Sequence, residues 1–274
     1  MAGADTSSAP PGRWDDLRLR LVSGVVMVVV GFTCVYFAGL YIFALVAVLV
    51  AAMSWELTRM LAPDLDWVRT WTLVGLAVGA LSLAAQLPFP ARAPLLIAAS
   101  GLALFFVSGN RRPYFLFYAA ALLTAMGVFD QRDHFGLVWM MWLVLVVVQS
   151  DVMGYFAGRT FGGAKFWPSL SPKKTWSGII AGWVGAAILG GIFGWATGAG
   201  TVVAVFSVIL CYAAQMGDIA ESWLKRKAGV KDSSNLIPGH GGVWDRFDGL
   251  VGATLALLII EQITNFPPRL PGPL

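Results

Sequence analysis

Charged residues are scarce in this chain: Asp, Glu, Lys and Arg together make up 12% of its 274 residues, about half of their share in an average globular protein. So few charges cannot cover a soluble surface, which argues against a soluble enzyme. Hydrophobic residues make up 58% of the chain and the mean hydropathy is +0.73, which excludes a disordered chain. The composition indicates a polytopic membrane protein.

Cysteine is also rare. Cys34 and Cys211 are the two cysteines of the sequence, and each lies within an apolar run rather than in a CxxC pattern. This excludes a disulfide scaffold and gives no sign of a zinc or redox motif. We expect two buried thiols that behave as small hydrophobic side chains.

Apolar residues fall into nine segments, and a transmembrane helix needs about 20 residues. The segments are 21–37, 40–58, 71–87, 93–108, 114–129, 135–157, 177–197, 200–221 and 247–264. The sequence therefore predicts an all-α bundle of about nine transmembrane helices. It forms one membrane domain, 21–264, between an N-terminal segment, 1–20, and a short tail, 265–274. Because 21–58 is too long for one straight span, we expect a tight hairpin there.

Basic residues are distributed unequally over the predicted loops. Sixteen of the 19 Lys and Arg residues fall on the side that holds the N-terminus, and the other side holds Arg92, Arg132 and Arg269. Such an asymmetry marks the cytoplasmic side of a membrane protein. We therefore predict that the N-terminus is cytoplasmic and the C-terminus external. The net charge of +4 then reflects membrane orientation and does not indicate a nucleic-acid partner.

Acidic residues cluster near the ends of predicted spans. Asp151 follows a long apolar run, Asp218 and Glu221 end the eighth span, and the ninth span begins at Asp245 and Asp248. An ionisable group at membrane depth costs about 2.5–3.5 kcal/mol, so it usually has a functional role or a partner. The last four residues form two pairs with i, i+3 spacing, and each pair shares a helix face. The alternative is that they are helix-end acids neutralised by nearby cations.

The loop between these two pairs is basic and rich in glycine. Lys225, Arg226 and Lys231 precede the turn 238–242, which reads Pro-Gly-His-Gly-Gly. Cationic side chains and backbone amides at glycines suit a polyphosphate. His240 lies within the turn, where it is either functional or a solvated surface residue.

A second basic loop precedes the seventh span. Lys173 and Lys174 lie where the helix is expected to begin, and helix N-termini favour anions. Attraction to anionic lipid is the alternative explanation. The loop is not a Walker A motif, because the Ser or Thr that should follow the lysine is missing after Lys165.

Taken together, these residues predict phosphoryl or nucleotidyl transfer to a lipid. Carboxylates hold Mg²⁺, which commonly bridges to substrate phosphates. A secondary transporter would instead place its charges near the bilayer midplane between repeated halves, and no repeat is evident. A membrane scaffold would not need the pair Asp245 and Asp248. A lipid or polyprenol kinase shares the phosphate chemistry and is the nearest enzymatic alternative.

The stretch from Ser222 to Asp248 resembles the signature of phosphatidate cytidylyltransferases, also called CDP-diacylglycerol synthases, and matches every fixed position of it. The stretches 150–162 and 170–178 are similar to the same family. One departure is Ser177, where the family often has Glu. The resemblance covers 150–250 strongly, and upstream it rests on hydropathy and span count.

The resemblance implies that CTP and phosphatidate are converted to CDP-diacylglycerol and pyrophosphate with Mg²⁺, and it leaves room for a second metal ion. It also implies a homodimer in the bacterial inner membrane, with the active site facing the cytoplasm.

Taken with the acidic pairs and the two basic loops, the resemblance also implies roles for individual residues. The expected metal ligands are Asp218, Asp245 and Asp248, and the expected catalytic residues are Lys231, His240, Asp245 and Asp248. The expected substrate-binding residues are Lys173, Lys174, Ser222, Lys225, Arg226, Gly241, Gly242 and Arg246. Asp151 is either a further ligand or a structural partner for Arg159.

Overall fold

The computed structural model describes residues 13–264 and 266–268, with side chains from residue 19 onward. Most of the predicted N-terminal segment, 1–20, and of the tail, 265–274, therefore lies outside the described residues. Nothing in the fold tests the proposed division into segment, domain and tail.

Nine α-helices and one short β-hairpin make up the described part of the chain. They are α1 (Arg13–Phe37), α2 (Gly39–Leu61), α3 (Trp67–Gln86), α4 (Phe89–Ala103), α5 (Arg111–Asp130), α6 (Gly136–Phe161), β1 (Lys165–Trp167), β2 (Ser171–Thr175), α7 (Trp176–Thr197), α8 (Val202–Lys227) and α9 (Trp244–Ile263). One π-helical turn, Gln131–Phe135, joins α5 to α6. The prediction of a helical membrane bundle is confirmed, and the helices overlap all nine predicted segments.

Six helical stretches within the described residues are long and apolar enough to cross a membrane. One of them, Arg111–Phe161, comprises α5, the π-helical turn and α6. Helix α4 is short, with 15 residues and an internal Pro94, and α9 carries several charged residues. The count of nine spans therefore stays a prediction.

Helices α1 and α2 form the predicted tight hairpin. Ala38 alone separates them, with a φ of 56°. Ser23 of α1 and Glu56 of α2 both hydrogen-bond to the segment 228–243, whereas one straight helix would hold them about 50 Å apart. The two helices are therefore antiparallel.

The apolar core has two parts that meet at α9. Helices α2–α5 bury most of the first part, and helices α6–α8 most of the second. Trp244 and Val251 of α9 pack into the first part, and Ala253 and Leu257 pack into the second. Helix α9 therefore lies between the two halves of the bundle, with its first turn packed against the first part of the core.

The antiparallel hairpin of β1 and β2 connects α6 to α7, with Lys165 opposite Thr175. The sequence did not predict these strands, because a run of Lys and Pro in a basic loop carries no apolar alternation. Thr175 ends the hairpin and caps α7, since its Oγ1 accepts a hydrogen bond from the amide of Gly178 at 3.3 Å. The hairpin therefore sets where α7 begins.

Candidate active site

Helices α8 and α9 cross at two glycines. A Cβ on Gly217 would overlap the carbonyl oxygen of Asp248, and a Cβ on Gly252 would overlap that of Ala213. The absence of side chains therefore lets the two backbones touch, as small residues do at membrane helix contacts. The contact brings the acidic end of α8 against the first turns of α9.

Three carboxylates converge at this crossing. The side chains of Asp218, Glu221 and Asp248 place one oxygen each within 4.8 Å of one another. Glu221 is buried, and its Oε1 has no hydrogen-bond partner among the described residues. Carboxylates held together at low dielectric repel one another unless a cation lies between or beside them. We refer to these three residues as the acid cluster.

Two lysines border the acid cluster. Lys174 of β2 forms an ion pair with Asp218. Lys225 lies one helical turn beyond Glu221, and its Nζ is 2.8 Å from that carboxylate and 2.6 Å from Asp245. The side chains of this second ion-pair group are almost completely buried. Because strand residues alternate in direction, Lys173 points away from the cluster and is exposed.

Asp245 has a different environment from the acid cluster. Its Oδ2 accepts hydrogen bonds from the amide of Gly242 at 2.8 Å and from the amide and hydroxyl of Ser233 at 2.9 and 2.8 Å. Asp245 precedes the apolar part of α9. Burial by itself raises the pKa of Asp245, but the Lys225 ammonium and these donors outweigh it and hold the pKa at about 2. The described residues already occupy both oxygens of Asp245.

The acid cluster thus includes Asp218 and Asp248 of the predicted metal ligands, and it adds Glu221. The sequence placed Glu221 on the same face as Asp218 but did not assign it as a ligand. Asp245 lies nearby and is bonded to protein donors instead. Its assignment as a metal ligand stays a prediction.

The glycines of the turn 238–242 serve a purpose that the sequence did not indicate. Gly241 has a φ of +88°, and a Cβ there would lie 2.8 Å from Asp245 Oδ2. A Cβ on Gly242 would overlap the Ser233 hydroxyl and the Glu56 carboxylate. The Gly242 amide therefore donates to a carboxylate of the chain itself, and the substrate-binding role of Gly241 and Gly242 stays a prediction.

Glu56 of α2 is the main feature that sequence reasoning missed. Its carboxylate is completely buried and reaches the start of α9, where it accepts from the amides of Val243 at 2.8 Å and Trp244 at 2.9 Å. The hydroxyls of Ser233 and Ser234 complete its hydrogen bonds. A single acid inside an apolar run was the available signal, because such a group needs a partner.

Three predicted substrate-binding residues lie on α8 and α9, the helices that carry the acid cluster. Ser222 donates weakly to Asp218, with 3.4 Å between the oxygens. Arg226 is exposed and bonds the carbonyl of Val230. Arg246 is exposed and donates to the carbonyl of His240.

His240 lies against α1 rather than against the acid cluster. Its Nδ1 is 2.8 Å from the Ser23 hydroxyl, and a Cβ on Gly24 would touch its ring. Lys231 is exposed on the loop between α8 and α9. The catalytic roles of His240 and Lys231 stay predictions.

Helix α6, which precedes the second basic loop, carries one further acid, Asp151. Asp151 interacts electrostatically with Asp218, Lys174 and Arg246, so it faces the acid cluster. Arg159 donates to the hydroxyl of Tyr155 at 2.7 Å instead. Both roles considered for Asp151 stay predictions.

Ser177, where the related family often has Glu, donates to the carbonyl of Gly162. It thereby ties the start of α7 to the loop before the β-hairpin, and its contact is structural.

The donor set of the acid cluster fits a divalent cation. Mg²⁺ prefers carboxylate oxygens and is usually held by one or two of them together with substrate phosphates. Three converging carboxylates, one of them with an oxygen that has no hydrogen-bond partner among the described residues, meet that requirement. The chemistry of the site therefore supports a metal-binding role for Asp218, Glu221 and Asp248.

Comparison with known proteins decides the family. A sequence profile of the cytidylyltransferase family matches residues 18–264. The chain belongs to the cytidylyltransferase family. It is also similar to curated proteins named phosphatidate cytidylyltransferase, which agrees with the resemblance inferred from the 222–248 stretch.

The relatives share about 40% identity over part of their length. The protein of Brucella abortus biovar 1 (strain 9-941) is 41% identical over 161 residues, covering 56% of this chain and 57% of that protein. The protein of Helicobacter pylori (strain ATCC 700392 / 26695) is 40% identical over 145 residues, covering 52% and 53%. That of Haemophilus influenzae is 38% identical over 144 residues, covering half of each chain. The chain thus spans about half the length of the curated relatives it matches.

Proposed function

We propose that this chain is a phosphatidate cytidylyltransferase, which transfers CMP from CTP to phosphatidate and releases pyrophosphate. The observation that carries the proposal is the acid cluster of Asp218, Glu221 and Asp248, bordered by Lys174 and Lys225 where α8 crosses α9. Family membership and the names of the relatives support the same activity.

The proposed reaction is a displacement at phosphorus. An oxygen of the phosphatidate phosphate forms a bond to the α-phosphorus of CTP, and the bond from that phosphorus to the bridging oxygen breaks. The electron pair leaves with pyrophosphate. Because the attacking phosphate is already anionic at pH 7, the step needs no strong general base. The barrier is the repulsion between two polyanions and the charge that builds up on the leaving group.

The residues of the chain act on that charge. Asp218, Glu221 and Asp248 would hold Mg²⁺, which when bound neutralises phosphate oxygens. Lys174 lies beside the acid cluster and orients the Asp218 carboxylate. Arg226 in the last turn of α8 and Lys231 on the loop that follows are exposed, and they would bind the triphosphate or the phosphatidate headgroup.

The proposal also covers the orientation of the protein in the membrane and its oligomeric state. The charge asymmetry supports an active site that faces the cytoplasm, and the bacterial relatives support the inner membrane as the location. We also infer a homodimer, as the resemblance implies. Crosslinking in native membranes, followed by mass determination of the complex, tests the dimer separately from the activity.

The position of the transferred label tests the reaction. Detergent-purified protein is incubated with phosphatidate and CTP that carries ³²P at either the α- or the γ-position, with and without Mg²⁺. We expect α-label in the lipid product only when Mg²⁺ is present. Transfer of the γ-label would identify a lipid kinase instead, and transfer of neither label would exclude both activities.

A further inference from the structure

We infer that Glu56 of α2 is a positioning residue for the active site, an inference that rests on the proposed function. Its carboxylate lies on a different helix from every acid of the cluster, and it contacts none of them. It acts through the loop between α8 and α9, where it fixes the first turn of α9 and with it Asp245 and Asp248.

The geometry of Glu56 suits this role. Its two oxygens accept from the amides of Val243 and Trp244 at the N-terminus of α9. These amides have no partner within the helix, and the positive end of the helix dipole favours an anion there. A glutamate on another helix therefore caps α9, and it holds the helix against α2. The indole of Trp244 reinforces the contact by donating to Met53 of α2 at 2.9 Å.

Ser233 links Glu56 to the chemistry. Its hydroxyl lies 2.8 Å from Asp245 Oδ2 and 3.3 Å from Glu56 Oε2. The single hydrogen of this hydroxyl is shared between the two carboxylates, with the shorter contact to Asp245, and Asp245 in turn holds Lys225 beside Glu221. The chain of contacts runs from α2 through the loop to the acid cluster, and each step is a hydrogen bond or an ion pair.

The absence of a side chain at position 242 is required by the same contacts. Because a Cβ there would overlap both Glu56 and Ser233, the glycine and the glutamate form one close-packed unit. The role that Glu56 plays through the first turn of α9 explains why a completely buried acid is present in α2 despite its cost in an apolar run.

Substitution of Glu56 by Gln tests the inference. The amide keeps the size of the side chain but places an N–H₂ against donors, so at least one of the α9 amides loses its acceptor. Changes to groups that orient metal ligands typically cost about 10–100-fold in metal affinity or activity. We expect Glu56→Gln to raise the Mg²⁺ concentration at the midpoint of Mg²⁺-induced thermal stabilisation by about tenfold or more. Mg²⁺ alone is the probe, with no nucleotide present.

Tyr114→Phe is the matched control. The Tyr114 hydroxyl makes a buried 2.8 Å hydrogen bond to Thr58, two residues after Glu56 on the same helix, and it does not contact the loop. We expect this variant to melt at a lower temperature without any change in the Mg²⁺ midpoint or in KM for CTP. If Glu56→Gln behaves in the same way as Tyr114→Phe, Glu56 is only structural and the inference fails.

Ser234→Ala decides the matter if Glu56→Gln does not fold. It removes one donor to the Glu56 carboxylate and should shift the Mg²⁺ midpoint in the same direction by a smaller factor. An unshifted midpoint would overturn the inference. Because the midpoint is measured without substrates, it tests Glu56 even if wild-type protein shows no transfer of label from CTP, a result that would refute the proposed function alone.

Discussion

Gly217 of α8 and the backbone of Asp248 of α9 are in direct contact, and no side chain separates them. The two acidic helix ends meet because this crossing is so close. A methyl group at position 217 would force the helices apart and would move Asp248 away from Asp218 and Glu221.

Gly217→Ala therefore should lower both the melting temperature and Mg²⁺-dependent turnover. Gly191→Ala provides the control, because a Cβ at Gly191 of α7 meets no atom within 4 Å. Replacing a helical glycine with alanine in open space stabilises by up to about 1 kcal/mol, so the control should melt at the same or a slightly higher temperature. Equal melting temperatures and rates for the two variants would contradict the close crossing.

Asp248→Asn and Asp245→Asn should behave differently, although both positions belong to the same signature. Asp248 shares the acid cluster with two other carboxylates, so its neutralisation relieves repulsion. We expect Asp248→Asn to keep or raise the melting temperature in the absence of Mg²⁺ while turnover falls by more than about 100-fold.

Asp245→Asn removes the charge that pairs with the buried Lys225 and leaves one oxygen where two accepted, so either that ammonium or the Ser233 and Gly242 donors lose their acceptor. Breaking such a pair costs about 3–5 kcal/mol, so we expect a clear drop in melting temperature. Thermal melts and Mg²⁺ titrations of turnover on the same two preparations separate the roles. A stable Asp245→Asn protein with weakened Mg²⁺ dependence would restore Asp245 as a metal ligand.

Lys225→Gln should be destabilising for a related reason. The Lys225 ammonium forms ion pairs with both Glu221 and Asp245, and both carboxylates are almost completely buried. Without it, two buried acids lose their cation. Lys227→Gln is the comparison within the same helical turn, because its ammonium lies 5.3 Å over the Trp223 ring near the surface. Chemical or thermal unfolding in detergent should show a large loss for Lys225→Gln and little change for Lys227→Gln.

The predicted orientation can be tested by cysteine labelling. Asn235 lies on the loop between α8 and α9, and Asp133 lies in the turn between α5 and α6; both are exposed. In a background without Cys34 and Cys211, an impermeant maleimide added to intact cells should label a cysteine at position 133 and leave one at position 235 unlabelled until the membrane is opened. Labelling of both in intact cells would refute the predicted topology.

The helices could be predicted from the sequence because their signal is long and repeated. Each predicted segment lies within a few residues of a helix, since around 20 apolar residues in a row have few structural alternatives. The short strands at 165–167 and 171–175 were not predicted, because their pairing depends on where α6 and α7 place the chain ends. Local composition does not carry that information.

The site could be located from the sequence, but the contacts between its residues could not be predicted. Spacing placed Asp218 and Glu221 on one face, and the signature pointed to Asp245 and Asp248. Which acid faces which cation depends on how α8 crosses α9, and that crossing is set by backbone contact at glycines. Glu56 could not be assigned for the same reason, because its partners lie far away in the sequence.

The Glu56 contact also has a consequence for how the protein is made. Its partner Val243 follows it by 187 residues, and a ribosome adding about 5–20 residues per second needs about 10–40 s to reach that point. Throughout this interval the Glu56 carboxylate of α2 lacks the amides of Val243 and Trp244, its hydrogen-bond donors in the folded protein. The N-terminal hairpin makes all of its contacts only when α9, the last helix that the structure describes, has emerged, so α2 and α9 complete their packing together.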